Sequence, residues 1–168
     1  MRAAVLLALF VTLAADARSA SLPWTHTRAM SPAAGALLEL AVERSRLVRA
    51  LVDELERTDI VVLFMFTNEP LAEGTPDSMT FLTDATGTRF VAVTMRWRSV
   101  PWLAYVPFLA HELQHALELA MAGDVRDYES YVRLFRTIGR QARNGQFETE
   151  SARAMEDRVR RELFGQQP

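Results

Sequence analysis

Five consecutive residues, His111-Glu112-Leu113-Gln114-His115, are equipped for hydrolysis if they share one helix. Side chains four apart project from nearly the same helical face, so His111 and His115 would offer two imidazole nitrogens to one metal ion, zinc by ligand type. Glu112 follows the first histidine directly. That sets its carboxylate beside the position a metal leaves open for water, the place of a general base. The flanks Val106-Pro107-Phe108-Leu109-Ala110 and Ala116-Leu117-Glu118-Leu119-Ala120 are apolar enough to bury such a helix in a core.

Two histidines leave a catalytic zinc site short of its usual third protein ligand. The chain has no cysteine, which excludes thiolate ligands and disulfides and restricts the choice to His, Glu or Asp. Glu118 lies on the motif face one turn beyond His115, but three ligands from one straight helix converge poorly. Its expected place is behind a ligand histidine or in solvent. Glu129 is a candidate from another element, followed by Asp124, Glu150 and His26, the last most simply a loop histidine. Tyr128, Tyr131 or an arginine could donate to a developing oxyanion, although both tyrosines also suit helix packing.

The elements that must hold these residues are legible in the apolar pattern. Ala33 to Arg57 repeats apolar residues at three and four, predicting one long amphipathic helix. Asp59 to Phe66 reads as a buried strand. Ser78 to Thr83 and Arg89 to Trp97 flank the turn-rich Asp84-Ala85-Thr86-Gly87-Thr88 and predict a β-hairpin. The motif helix should start at Trp102 or Tyr105 and end at Met121 with Gly123 as C-cap. A helix over Asp124 to Gly139, a loop over Gln141 to Gln146 and a helix over Phe147 to Phe164 complete the chain. Trp97, Trp102 and Phe108 are expected in the core in preference to a substrate subsite.

Composition bounds the rest. With 168 residues, about half hydrophobic, the chain can bury one sizeable core. A net charge of -2 and 19 scattered basic residues, all arginine, argue against a nucleic-acid footprint. Residues 1–17 read as a secretory leader: Met1-Arg2, an apolar Ala3 to Ala14, and Ala15-Asp16-Ala17 as cleavage site. An apolar run of about a dozen residues is short for a span of around twenty. The expectation is therefore a cleaved signal, no membrane anchor afterwards, and a periplasmic or secreted bacterial protein. Residues 18–32 would form an extended lead-in and 33–168 the functional domain.

The motif and the order helix, strand, hairpin, metal helix, helical remainder resemble the N-terminal half of the zincin metallopeptidases, most closely over Phe108 to Leu119. The chain is also similar to small exported bacterial proteins carrying this motif. Glu118 and Met121 stand where metzincins have glycine and histidine, which excludes that subfamily. Glu148-Thr149-Glu150-Ser151-Ala152 resembles the gluzincin segment that returns a glutamate from a later helix, departing from it at Ala152, where an acid often stands. The resemblance implies Glu148 as third ligand, Zn2+ as cofactor, and a peptide or protein as substrate. It implies an α+β single domain with a small twisted, mostly antiparallel sheet on the HExxH helix and further helices C-terminal. The strand before the metal helix, by position Arg89 to Trp97, would be the edge that holds substrate in extended form. The function expected is an exported zinc peptidase with Glu112 as general base. The alternative is a non-catalytic periplasmic binding or scaffold module of zincin shape, its metal structural or absent.

Overall fold

The computed structural model describes residues 23–69, 71, 77–141 and 146–165. The leader expected over residues 1–17 lies outside them. The chain is a single α+β domain in which a four-stranded sheet is covered by helices, with further helices C-terminal to the motif. Strands β1 (Thr27–Ala29), β2 (Ile60–Thr67), β3 (Asp77–Ala85) and β4 (Thr88–Arg96) lie in the order β1-β2-β4-β3. The β1–β2 and β2–β4 pairings are parallel and only β3–β4 is antiparallel, so the sheet is mixed and not mostly antiparallel. Short-range patterning detects the β3–β4 hairpin, whereas the parallel pairs join residues far apart in sequence.

The expected single helix over Ala33 to Arg57 is two: α1 (Pro32–Arg44) and α2 (Arg46–Leu55). Ser45 breaks it. Its backbone is extended, its hydroxyl oxygen accepts from the Val48 N–H at 3.1 Å, and its hydroxyl donates to Glu162. Leu37, Leu38, Val48, Val52 and Leu55 are all fully buried, so both helices keep one apolar face on the same core and the periodicity runs through the break.

Helix α3 (Val106–Met121) carries the motif, entered through a 3-10 turn over Trp102–Tyr105. Leu109, Ala110, Leu113, Ala116 and Leu119 are buried against a sheet face made by Ile60, Val62 and Phe64 of β2 and Val91, Val93 and Met95 of β4. The helix ends at Met121 on Ala122, and Gly123 is not a left-handed cap. Its terminal carbonyls go instead to Arg89, whose side chain is fully buried. Nη1 donates to Leu119 O at 2.8 Å and Ala122 O at 2.7 Å, and Nη2 to Ala120 O at 3.1 Å. The same guanidinium grips Asp59 through Nε at 2.9 Å and Nη2 at 2.6 Å. An unpaired buried charge costs several kcal/mol, roughly; pairing with Asp59 and a position at the negative end of a helix remove that cost. The motif helix is thereby pinned end-on to β4.

The capping residue of α4 (Tyr128–Ile138) is Asp127, in a capping box with Ser130. The helix therefore starts four residues later than expected. Arg140–Gln141 (β5) and Phe147–Glu148 (β6) form a two-stranded ribbon, so Phe147 and Glu148 are not helical, and α5 (Glu150–Phe164) begins after Thr149. Among the described residues no helix is long and apolar enough to cross a membrane. Trp97 and Trp102 are not core residues: they join Phe66 in an aromatic cluster and remain exposed, while Phe108 is half-buried beneath the guanidinium groups of Arg98 and Arg160.

Candidate metal and catalytic centre

His111, Glu112 and His115 all lie on the buried middle of α3. The two imidazoles meet edge-to-face with their Nε2 atoms 3.1 Å apart. Behind His115, Nδ1 stands 2.8 Å from Glu118 Oε2. A carboxylate can only accept, so Nδ1 carries the proton and the Nε2 lone pair is turned toward His111. Burial lowers the pKa of His115 despite Glu118, which keeps the ring neutral. Glu118 also accepts from the Thr149 hydroxyl at 2.7 Å and from the Ser151 hydroxyl. Burial alone would raise its pKa, but the bonds from His115, Ser151 and Thr149 hold it below the usual glutamate range. The Thr149 hydroxyl oxygen also accepts from the Ala152 N–H as the α5 cap, so one residue starts that helix and steadies the support of His115.

His111 is backed differently. Its Nδ1 lies 3.3 Å from Glu156 Oε2 on α5, an ion-pair distance without hydrogen-bond alignment. Burial pulls the His111 pKa down, but Glu156, Glu148 and Asp77 outweigh it and the net shift is upward. A protonated His111 can donate from Nε2 to the His115 lone pair. In this arrangement a proton sits where a cation between the two rings would sit.

Glu148 comes from β6 with Oε2 3.9 Å from His111 Nε2, its carboxylate held by Arg153 Nε at 2.9 Å. Gly139 permits this approach, because a Cβ there would stand 2.8 Å from the Glu148 carbonyl oxygen. Among the described residues, no three His, Asp or Glu side chains already close on one point. Glu148 would have to turn from Arg153 to join the two Nε2 atoms. The other candidates lie elsewhere: Glu129 is exposed and paired with Arg133, Asp124 and Glu150 are exposed, and His26 abuts the Leu55 carbonyl. Tyr128 is exposed. The buried Tyr131 donates to the Met79 carbonyl at 3.0 Å, and burial, with the field of Glu112, raises its pKa.

The sequence reading missed two acids here, Glu156 and Asp77. Glu156 interrupts the stripe of Ala152, Met155 and Val159, a detectable flaw in an apolar face. Asp77 opens β3 directly after a turn-forming segment, where no pattern marks it. Burial raises the Asp77 carboxyl to about 7, with Glu156 and Glu148 adding to the shift and His111 opposing it. Glu112 is buried and pushed well up, first by burial, then by Asp77, Glu148 and Glu156. With Glu118 behind His115, five carboxyls thus share this region with two imidazoles, an acidic surplus that a cation would relieve.

Support behind a ligand histidine typically governs metal affinity about 10–100-fold. Glu118→Gln should therefore weaken zinc binding by that factor while leaving the far-UV circular dichroism unchanged. Competition with a chromophoric chelator measures it, and unaltered affinity would reduce Glu118 to a helix-packing role. Comparison with protein-family models, curated proteins and solved structures returned no match.

Proposed function

We propose that this chain is an exported zinc-dependent peptidase, with His111, His115 and Glu148 as metal ligands and Glu112 as general base. The observation that supports it most is the pair of Nε2 atoms facing each other at 3.1 Å, each ring backed at Nδ1 by a carboxylate, Glu118 or Glu156. Such outer partners fix tautomer and ring direction in metal sites. When bound, the ion supplies the Lewis acidity that activates a water and polarises a carbonyl. Glu112 takes the proton from the attacking water as its oxygen bonds to the carbonyl carbon, and returns it to the nitrogen as the carbon–nitrogen bond breaks. Its burial and its carboxylate neighbours raise its basicity for the first transfer. The leader-like residues 1–17 make export part of this proposal.

The expected extended binding of substrate along Arg89 to Trp97 is corrected, because β4 lies between β2 and β3 and the sheet edge on that side is β3. The surplus of acids favours one rival, a closed site in which a fourth protein donor leaves no room for water and the metal is structural. Elemental mass spectrometry of the purified mature chain, compared with His115→Ala and Glu148→Ala, tests the ligand set. One zinc per wild-type chain, lost in both variants, is the expected result; a wild type that takes up no zinc when supplied would sink the proposal. X-ray absorption at the zinc edge separates three protein donors plus water from the closed site.

A further inference from the structure

The backbone of β3 determines what can lie beside the centre. On β4, Arg89 N–H bonds Asp59 O at 2.8 Å and, just beyond the strand, Trp97 N–H bonds Thr67 O at 2.9 Å, so its odd-numbered residues face β2 and its even-numbered residues face β3. Opposite Thr94 and Ala92 stand Ser78 and Thr80, which turn their backbone groups toward β4. Asp77 and Met79 therefore turn theirs to the outer edge. Both outward carbonyls are engaged: Gln146 Nε2 donates to Asp77 O at 3.1 Å and Tyr131 Oη to Met79 O at 3.0 Å. The Tyr131 ring and α4 stand where an added strand would run. Among the described residues, both outward carbonyls at this end of β3 are already taken, so an extended chain would find no free acceptor there.

At the same place one carboxylate lacks a partner. Asp77 is 7% exposed and its Oδ2 makes no hydrogen bond. Its side chain shares the face of β3 that looks toward α3, and the charges bearing on it are those of His111, Glu156, Glu148 and Arg98. Glu148 and Glu156 approach His111 nitrogens to 3.9 and 3.3 Å, whereas Asp77 pairs with neither imidazole among the described residues. Its charge is felt at His111, although no contact joins it to that ring. A buried acid without a donor is costly, and an ammonium group with three N–H donors answers both its charge and its missing hydrogen bond.

We propose that Asp77 receives the α-ammonium group of a peptide, so that the enzyme removes residues from free amino termini instead of cutting within chains. This rests on the peptidase reading above. In the first residue of a peptide the ammonium nitrogen and the scissile carbonyl share one Cα, which matches an anion whose charge is felt at His111. The closed edge of β3 acts in the same direction by leaving no track for residues preceding the scissile bond.

The test uses the zinc-loaded chain and two peptides of one sequence, free and N-acetylated, with products identified by mass spectrometry. The free peptide should lose residues from its amino end, with kcat/KM at least about 100-fold above that of the blocked one. In Asp77→Asn that preference should collapse mainly through KM, with zinc content unchanged. Leucinamide should bind the metal-free wild type more tightly than the metal-free variant by calorimetry. Equal cleavage of both peptides overturns the amine assignment and leaves the hydrolase intact. Loss of zinc from Asp77→Asn overturns it too, by making Asp77 a metal ligand. Cleavage of neither peptide removes the hydrolase reading, and this one with it.

Discussion

Replacing Glu112 by Gln should lower the hydrolytic rate of the zinc-loaded chain by about 10²- to 10⁴-fold, the range for loss of a general base, without loss of zinc. The substitution keeps volume and hydrogen-bonding capacity and removes only the ability to take a proton. Glu112 is also unfavourable to the fold, because its carboxyl is buried within the field of Asp77, Glu148 and Glu156. Relieved of one carboxyl in that cluster, the metal-free variant should unfold at a higher temperature than wild type. Rate and stability should therefore move in opposite directions, the mark of a group held under strain for chemistry. Initial rates on a peptide pool, with zinc content and thermal unfolding measured on the same samples, decide it. Full activity in the variant would remove Glu112 from the mechanism.

The parts of the centre that were legible in the sequence are local. His111, Glu112, His115 and Glu118 occupy one turn-spaced face of a single apolar helix, so spacing alone brings them together. Glu148 was reached only through resemblance to gluzincins, and its position beside His111 depends on the β5–β6 ribbon, two strands of two residues each and too short for any periodicity. Two further carboxylates that act on His111 and Glu112, Asp77 and Glu156, come from β3 and α5 and reach them only through tertiary packing. The fold divides likewise. Helices and the hairpin follow from period and turn residues, while β1 was read as extended lead-in and β4 as an edge. Parallel pairing of β1, β2 and β4 leaves no mark on neighbouring residues.

Arg89 has a structural role that nothing in the sequence pattern marks. An arginine at the start of a strand reads as solvated, yet this one is buried and shares its donors between Asp59 and the last carbonyls of the motif helix. It takes the place of the glycine cap expected at Gly123 and ties the helix bearing His111 and His115 to the strand next to Asp77. The sheet-borne acid and the helix-borne bases are thus held in one rigid frame, as a site that must act within fractions of an ångström requires.

The metal-free chain should lose stability as pH rises from about 5.5 to about 7, and zinc should reverse this. Asp77 has a folded pKa near 7 against an ordinary 3.8. Between those values the folded state binds more protons than the unfolded state, so stability falls with rising pH. At about 1.4 kcal/mol per pKa unit, Asp77 alone accounts for roughly 2 kcal/mol of that fall. Glu112, shifted the same way, adds to the fall. His111, raised in the folded state, contributes stability that is complete below its unfolded pKa and is lost as pH passes its folded one. His115 opposes them, because its folded pKa is lowered and stability is gained as the unfolded ring deprotonates. Glu56, Asp59, Glu118, Asp127, Glu156 and Glu162, whose pKa values are lowered in the folded state, add stability as pH rises but have done so by about pH 5.5, which leaves the fall above it to the three raised groups. Zinc competes with the proton between the two Nε2 atoms and stabilises the ionised carboxyls, so its binding should release protons and its affinity should rise with pH. Thermal unfolding from pH 5.5 to 7.5 with and without zinc, and calorimetric titration in buffers of different ionisation enthalpy, measure the two effects. A metal-free chain whose melting temperature climbs across that window would show that Asp77 and Glu112 are not buried among carboxyls as described.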